Sequence, residues 1–197
     1  MTGKGSTEER ILRAACELAN EGGTEALTTR GVAERAGVSP GSVHHHYINK
    51  EGLVDACIDV MYNQVAELAG TFHEVVAETR EPKQFLEQAV RRTFRLARDY
   101  QPMVRMLLVT VAQKGQLDAA RMETVQMPFF AVAAPYFAAV TGLGQTDVRV
   151  RLQCMFMAIG RFAVSSSEEL KVVTGSIDPT VIEDHLVVVA QALFPSR

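Results

Sequence analysis

Between Thr28 and Lys50 the chain gathers hydroxyls, cations and imidazoles among small residues: Thr28, Thr29, Arg30, Ser39, Pro40, Gly41, Ser42, His44, His45 and Lys50. Hydroxyls beside the free N–H groups of a helix start can bond phosphate oxygens, and small residues such as Gly41 and Ser42 let a backbone approach an anion closely. Lys50 is placed to open a helix, where a cation opposes the macrodipole by about 0.3–1 kcal/mol. A phosphate bound there removes the conflict; a solvated lysine is the bland alternative. This is the chemistry of binding, not of bond-making. No Gly-x-Ser-x-Gly, His-Glu-x-x-His, phosphate loop or dinucleotide fingerprint occurs, and no acid pair stands out in an apolar setting. The chain therefore reads as a non-enzyme with no cofactor. His44-His45-His46 is not read as a metal site, because consecutive helical residues point about 100° apart and do not converge on one ion. Cys16, Cys57 and Cys154 make no Cys-x-x-Cys and read as buried small apolar residues in a reduced compartment.

The elements that must carry these groups are helical. Ser6 and Glu9 make a capping box ahead of a helix over 7–20, stopped by Gly22-Gly23. A short helix starts at Thr28 or Thr29 and ends before Gly37. A third starts after Ser39, with Pro40 in its first turn, and ends near His46 or Tyr47. Ala33 and Gly37, four apart, supply the small contact and the turn, and Val32, Ala36, Val38 and Val43 supply a shared core. That is the spacing of a helix-turn-helix whose second helix enters a DNA major groove. On that reading His44 and His45 face the nucleic acid, and His46 packs against the first helix or the backbone.

Further along, Asn49 caps a fourth helix that fades in the seventies. Pro82 opens the next, and Tyr100-Gln101-Pro102 breaks it. Helices follow over 103–112 and 117–140, the latter kinked or divided by Pro128 and Pro135, then over 147–173 and 180–193. The expected fold is all-α with about nine helices: a three-helix reader over residues 1–50 and a larger helical body over 51–197. Charge gives modest support. The net charge is only −3, but Thr28 to Lys50 holds Arg30, Arg35 and Lys50 against Glu34. With no apolar run of about 20 residues free of charge expected, no membrane span is assigned, and the polar start suggests no signal peptide, hence a cytoplasmic protein.

The segment from about residue 8 to 55 resembles the TetR/AcrR family of bacterial regulators. The resemblance rests on Arg10-Ile11-Leu12-Arg13-Ala14-Ala15, on Leu27 to Arg30, on Ala36-Gly37-Val38, on Gly41-Ser42-Val43-His44-His45-His46-Tyr47 and on Lys50-Glu51-Gly52-Leu53. It implies a homodimer bound to double-stranded DNA at a palindromic operator. By position, Ser42, His44, His45 and Lys50 correspond to DNA contacts, supported by Thr29, Arg30 and Ser39. His44 departs from the usual tyrosine, Tyr47 stands where a core phenylalanine is usual, and Gly31 lies inside a helix.

The family also implies a small-molecule effector bound in the body and dimerisation through the last two helices. The residues agree on both counts. Val181, Ile182, His185, Leu186, Val188, Val189, Ala192 and Leu193 form a stripe wide enough for a core and a partner. Met61, Met103, Met106, Phe129, Phe130, Tyr136 and Phe156 suit a malleable apolar cavity, or simply fill core. Arg105 and Arg161 pair with an acidic ligand or a buried carboxylate, or lie at the surface. Arg91, Arg92, Arg95 and Arg98 read as a solvated basic face. The leading reading is a ligand-released repressor; a regulator without a small ligand, or an activator, is the alternative.

Overall fold

The structure is a computed structural model that describes residues 5–70 and 81–195, with side chains described except at 68–70. Every regular element among them is helical: α1 (Thr7–Ala26), α2 (Thr29–Ala36), α3 (Pro40–His46), α4 (Lys50–Gly70), α5 (Pro82–Asp99), α6 (Gln101–Lys114), α7 (Ala119–Thr141), α8 (Gln145–Ala163), α9 (Ser167–Thr174) and α10 (Pro179–Leu193). The expected fading of α4 in the seventies lies outside the described residues.

Caps explain most boundaries. Ser6 and Glu9 form the expected box. Thr28, Ser39 and Asn49 each accept the N–H three residues on, at 3.0, 3.1 and 2.9 Å. Gly22 and Gly23 leave helical geometry inside α1, so the expected stop is a kink with one more turn beyond it.

Three expectations are corrected. The single helix over 147–173 is two. Ser166 caps α9 by accepting the Glu169 N–H at 3.2 Å, and Ser165 is buried in the break. Serine hydroxyls compete with the helical ladder here, which raises the expected helix count by one. In α7, of the two expected effects of Pro128 and Pro135, a kink or a division, the division does not occur. Pro128 has no N–H to give, and the chain takes a π-turn over Met122–Gln126 just before it, with the Met127 N–H reaching the Met122 carbonyl. Finally, residues 124–146 carry no charge, so the expected lack of a long uncharged stretch does not hold. Ala119–Thr141 is the one helix among the described residues long and apolar enough to cross a membrane by length and composition. Its Ala133, Ala134 and Phe137 lie in a helical core.

The chain forms two compact units. The first comprises Met1–Asn63 and Tyr100–Gly115, so α6 packs on α1. Ile11, Ala15, Leu27, Val32, Val43, Leu53, Ile58 and Met103 are its most deeply buried apolar residues. The second unit comprises Gln64–Asp99 and Gln116–Arg197. Its core joins Phe85, Leu86, Val90 and Phe94 of α5 to Phe137, Leu152, Met155, Ile159, Leu170, Leu186 and Phe194.

Of the α5 arginines expected to form a solvated face, Arg92 is exposed, but Arg91, Arg95 and Arg98 are engaged. Arg91 reaches Glu183 at 2.9 Å, Asp184 at 2.7 Å and Glu87 at 2.9 Å. Arg95 holds Glu183 through two bonds of 3.0 and 2.8 Å, and Arg98 donates to the Ala163 and Ser165 carbonyls. Glu183 is 3% exposed; only a buried carboxylate with this many donors is affordable in a core.

Candidate nucleic-acid interface

α2 and α3 are short helices joined by a Schellman turn. Gly37 sits at φ 64° and ψ 43°. Its N–H reaches the Glu34 carbonyl at 3.2 Å, and the Val38 N–H reaches Ala33 at 3.0 Å. Arg10, from α1, donates to the Ala36 and Gly37 carbonyls at 2.6 and 2.9 Å. A guanidinium at the C-terminal end of α2 both satisfies its orphan carbonyls and complements the dipole. In the sequence Arg10 stands out only as part of the motif around it. Its presence 26 residues before the turn gave no sign of this bond. Gly37→Ala is expected to lower stability by about 1–2 kcal/mol, the cost of the left-handed conformation for an alanine. The added Cβ would also lie 3.3 Å from an Arg10 nitrogen. A urea unfolding midpoint unchanged by the substitution would refute this account of the turn.

α3 is held by Val43, which is fully buried, and ends at Tyr47, which is half-buried. Burial, then the nearby Glu8, Cys57 and Cys16, pushes the Tyr47 phenol up. The opposite side of α3 is open. Pro40, Gly41, His44 and His45 are exposed and Ser42 is half-buried. The Ser39 and Ser42 hydroxyls lie 2.9 Å apart. Since the Ser39 oxygen accepts the Ser42 N–H, the hydroxyl pair keeps an O–H to donate outward. Thr28 likewise accepts a backbone N–H, that of Gly31, at the start of α2, where Thr29 is half-buried and Arg30 exposed. Lys50 is exposed at the first position of α4. All ten residues expected at a nucleic acid thus lie in the first unit: eight on or beside the starts of α2, α3 and α4, and His44 and His45 in the last turn of α3.

Two details differ from expectation. His46 does not pack into the domain; it is exposed, its ring edge-on to His45 at 5.4 Å between centroids. Arg35 is not part of a basic surface. It grips Glu21 through two bonds of 2.8 and 2.9 Å and lies 3.5 Å from Glu17, and these carboxylates raise its pKa further. Free positive charge in the segment thus rests on Arg30 and Lys50, with the histidines beside them. Gly31 also has an account in the fold. A Cβ there would lie 2.9 Å from the Thr28 hydroxyl oxygen that caps α2, so a side chain at position 31 competes with that cap.

The residues expected at an effector fall into both units. Met61, Met103 and Met106 are buried in the first, where Arg105 is exposed. In the second, Phe129, Phe130 and Phe156 form an aromatic cluster with centroids 5.2–6.4 Å apart. Tyr136 stacks edge-on against Phe85 and Phe137. Arg161 is exposed and paired with Glu169 and Ser165. A cleft of ≈ 260 Å³ between α1 and α2 is lined by Arg10, Arg13, Ala14, Glu17, Arg35 and Ala36. It is polar, and unsuited to an apolar molecule.

Two short helices around a glycine turn, with donors on the free side of the second, define a helix-turn-helix protein of all-α build. Residues 11–57 match the family described as bacterial regulatory proteins, tetR family. The likeness to that family is carried by this segment of the chain. It is 33% identical over 89 residues to the HTH-type transcriptional repressor KstR2 of Rhodococcus jostii (strain RHA1), covering 45% of this chain and 42% of that one. It is 45% identical over 53 residues to the tetracycline repressor protein class C of Escherichia coli, covering 27% of this chain and 24% of that one. The matches thus span less than half the length of either relative. The fold extends further: a TetR-like transcriptional regulator from Rhodococcus sp. RHA1 superposes with a TM-score of 0.64 at 17% identity, covering 100% of both chains.

Proposed function

We propose that the chain is a homodimeric transcriptional repressor. It binds double-stranded DNA at a palindromic operator and is released by a small-molecule effector in the cytoplasm. The reader spans residues 1–50 and the body 51–197. The observation that carries this reading is the open side of α3. Its hydroxyls, imidazoles and backbone N–H groups are exposed beside Lys50, while Val43 anchors the other side. Ser42, His44 and His45 would meet base edges and phosphates; Thr28, Thr29, Arg30, Ser39 and Lys50 would hold the backbone.

One recognition helix of seven residues reads only a few base pairs, so a two-fold dimer is the natural way to reach a specific site. α8 and α10 pack together and both leave apolar residues outside the core. Val150 and Met157 of α8 are 59% and 54% exposed, and Val188 of α10 is 63% exposed. Val150, Cys154 and Met157 follow helical spacing on one face, as do His185, Val188 and Ala192. Paired across a two-fold axis, these stripes form a four-helix bundle. The effector would be apolar, taken by the aromatic residues of the second unit named above.

The test is selection of the purified protein on random-sequence duplexes, followed by fluorescence anisotropy at two salt concentrations. Enrichment of an inverted repeat is expected, with affinity falling steeply as salt rises. Recovery of no sequence would overturn the repressor reading. Lys50→Ala is expected to weaken binding about equally on every duplex and to reduce the salt slope by about 1, the signature of one lost phosphate contact. An unchanged slope would remove Lys50 from the interface.

A further inference from the structure

The sulfurs of Cys16 on α1 and Cys57 on α4 lie 3.7 Å apart although 41 positions separate them in sequence. Both are free thiols, both belong to the first unit, and their exposures differ in a useful way. Cys16 is half-buried and reachable from solvent; Cys57 is completely buried behind it. A disulfide needs its sulfurs at about 2.05 Å, so closure asks the pair to approach by about 1.7 Å, the scale of a side-chain rotation.

We propose that Cys16 and Cys57 form an oxidisable dithiol that a hydroperoxide closes to an internal disulfide. The Cys16 thiolate attacks one peroxide oxygen and the O–O bond breaks. The leaving oxygen departs as hydroxide or alkoxide, and Cys16 becomes a sulfenic acid. The Cys57 sulfur then attacks the Cys16 sulfur. Hydroxide leaves and takes the Cys57 proton as water. Two thiols and one hydroperoxide give a disulfide, one alcohol or water from the leaving oxygen, and one further water; the two electrons pass from sulfur to the peroxide. The division of labour matches the surroundings. The sulfur–sulfur hydrogen bond with Cys57 holds the Cys16 pKa below the usual thiol range, against opposing burial and Glu17. The same bond, then burial, pushes Cys57 up and keeps it a thiol. Attack falls to Cys16 and resolution to Cys57. Cys154, exposed on α8 and outside the pair, is the internal control.

The bond would act beside the DNA reader. Tyr47, which ends α3, feels the charge of both sulfurs, so tying α1 to α4 perturbs the seat of the recognition helix. This consequence rests on the DNA-binding reading above; the dithiol does not.

The full-length protein is treated with hydrogen peroxide and mapped as peptides without reductant, Cys154 serving as the internal control. The expected product is a Cys16–Cys57 linked peptide, lighter by two hydrogens and restored by dithiothreitol. In a Cys57→Ser variant, Cys16 is expected to proceed to sulfinic acid, having lost its resolving partner. An unmodified pair, or sulfinic acid at Cys16 with Cys57 still free in the parent, overturns the proposal. Because the linked peptide is sought in the parent protein, a poorly folded variant does not obscure the answer. Oxidised and reduced protein are then compared on one duplex. A loss of about tenfold in affinity is expected, within the usual range of coupling between sites. Equal affinity with the link formed removes the effect on DNA. No binding by the reduced protein sinks the DNA reading and leaves the dithiol standing.

Discussion

Val188→Glu is expected to yield a monomer and to reduce operator affinity by on the order of 10³ or more. Val188 is 63% exposed on α10, so the substitution leaves the second unit's own core untouched and the isolated protomer should fold. In a two-fold interface the change occurs twice, once from each protomer. Each carboxylate would be taken from water into an apolar bundle at several kcal/mol per ion, with the two charges near each other. Since each 1.4 kcal/mol is tenfold, a dimer of micromolar stability or weaker would not survive at working concentrations. DNA binding would fall with it, because a monomer meets one half-site only. Light scattering after size exclusion reads the assembly, circular dichroism the fold, and anisotropy the affinity. A helical dimer with unchanged affinity would mean that α10 does not form the interface.

Glu183→Ala is expected to destabilise the second unit by about 2–3 kcal/mol, shifting its urea midpoint by about 1 M or more. The carboxylate is 3% exposed and accepts one bond from Arg91 and two from Arg95. Breaking a buried pair by deleting one partner costs about 3–5 kcal/mol when the survivor stays buried. Here the Arg95 side chain is 66% exposed and regains water, and Arg91 keeps Asp184 and Glu87, so the cost falls to the bottom of that range or just below it.

The pH dependence has a definite sign. Burial pushes the Glu183 carboxyl up, but the bonds from Arg95 and Arg91 outweigh it and hold the group below its ordinary value. A carboxylate with a depressed folded pKa contributes stability above its unfolded value of about 4.3 and loses it as pH falls through the folded value. The gap between wild type and Glu183→Ala should therefore be full near neutrality and shrink below about pH 4.3. A gap independent of pH across that range would show that charge is not what Glu183 contributes.

The sequence carried the reader in detail because its signals are local. Ser6, Thr28, Ser39 and Asn49 cap helices by bonding an N–H three residues away. Gly37 ends α2 through its own backbone geometry. Pro40 sits in the first turn of α3. Such interactions are fixed by composition at fixed spacing, and so was the exposure of His44 and His45 on a helix anchored by Val43. The same logic misled where two local preferences competed. The apolar periodicity over 147–173 concealed the serine break at 165–166, and Pro128 of α7 follows a π-turn rather than dividing the helix.

What sequence by itself determined was thus the helical class, the helix-turn-helix and the residues it displays. Only the tertiary structure decided which distant groups meet. Arg10 reaches the turn at Ala36 and Gly37, and Arg35 is neutralised by Glu21. Arg91 and Arg95 close on a glutamate about ninety positions away. α6 joins the first unit, and Cys16 comes to rest against Cys57. Periodicity tells which face of a helix is buried but not which helix covers it; that choice is made by the packing of whole faces, and long side chains take their partners only after it is made.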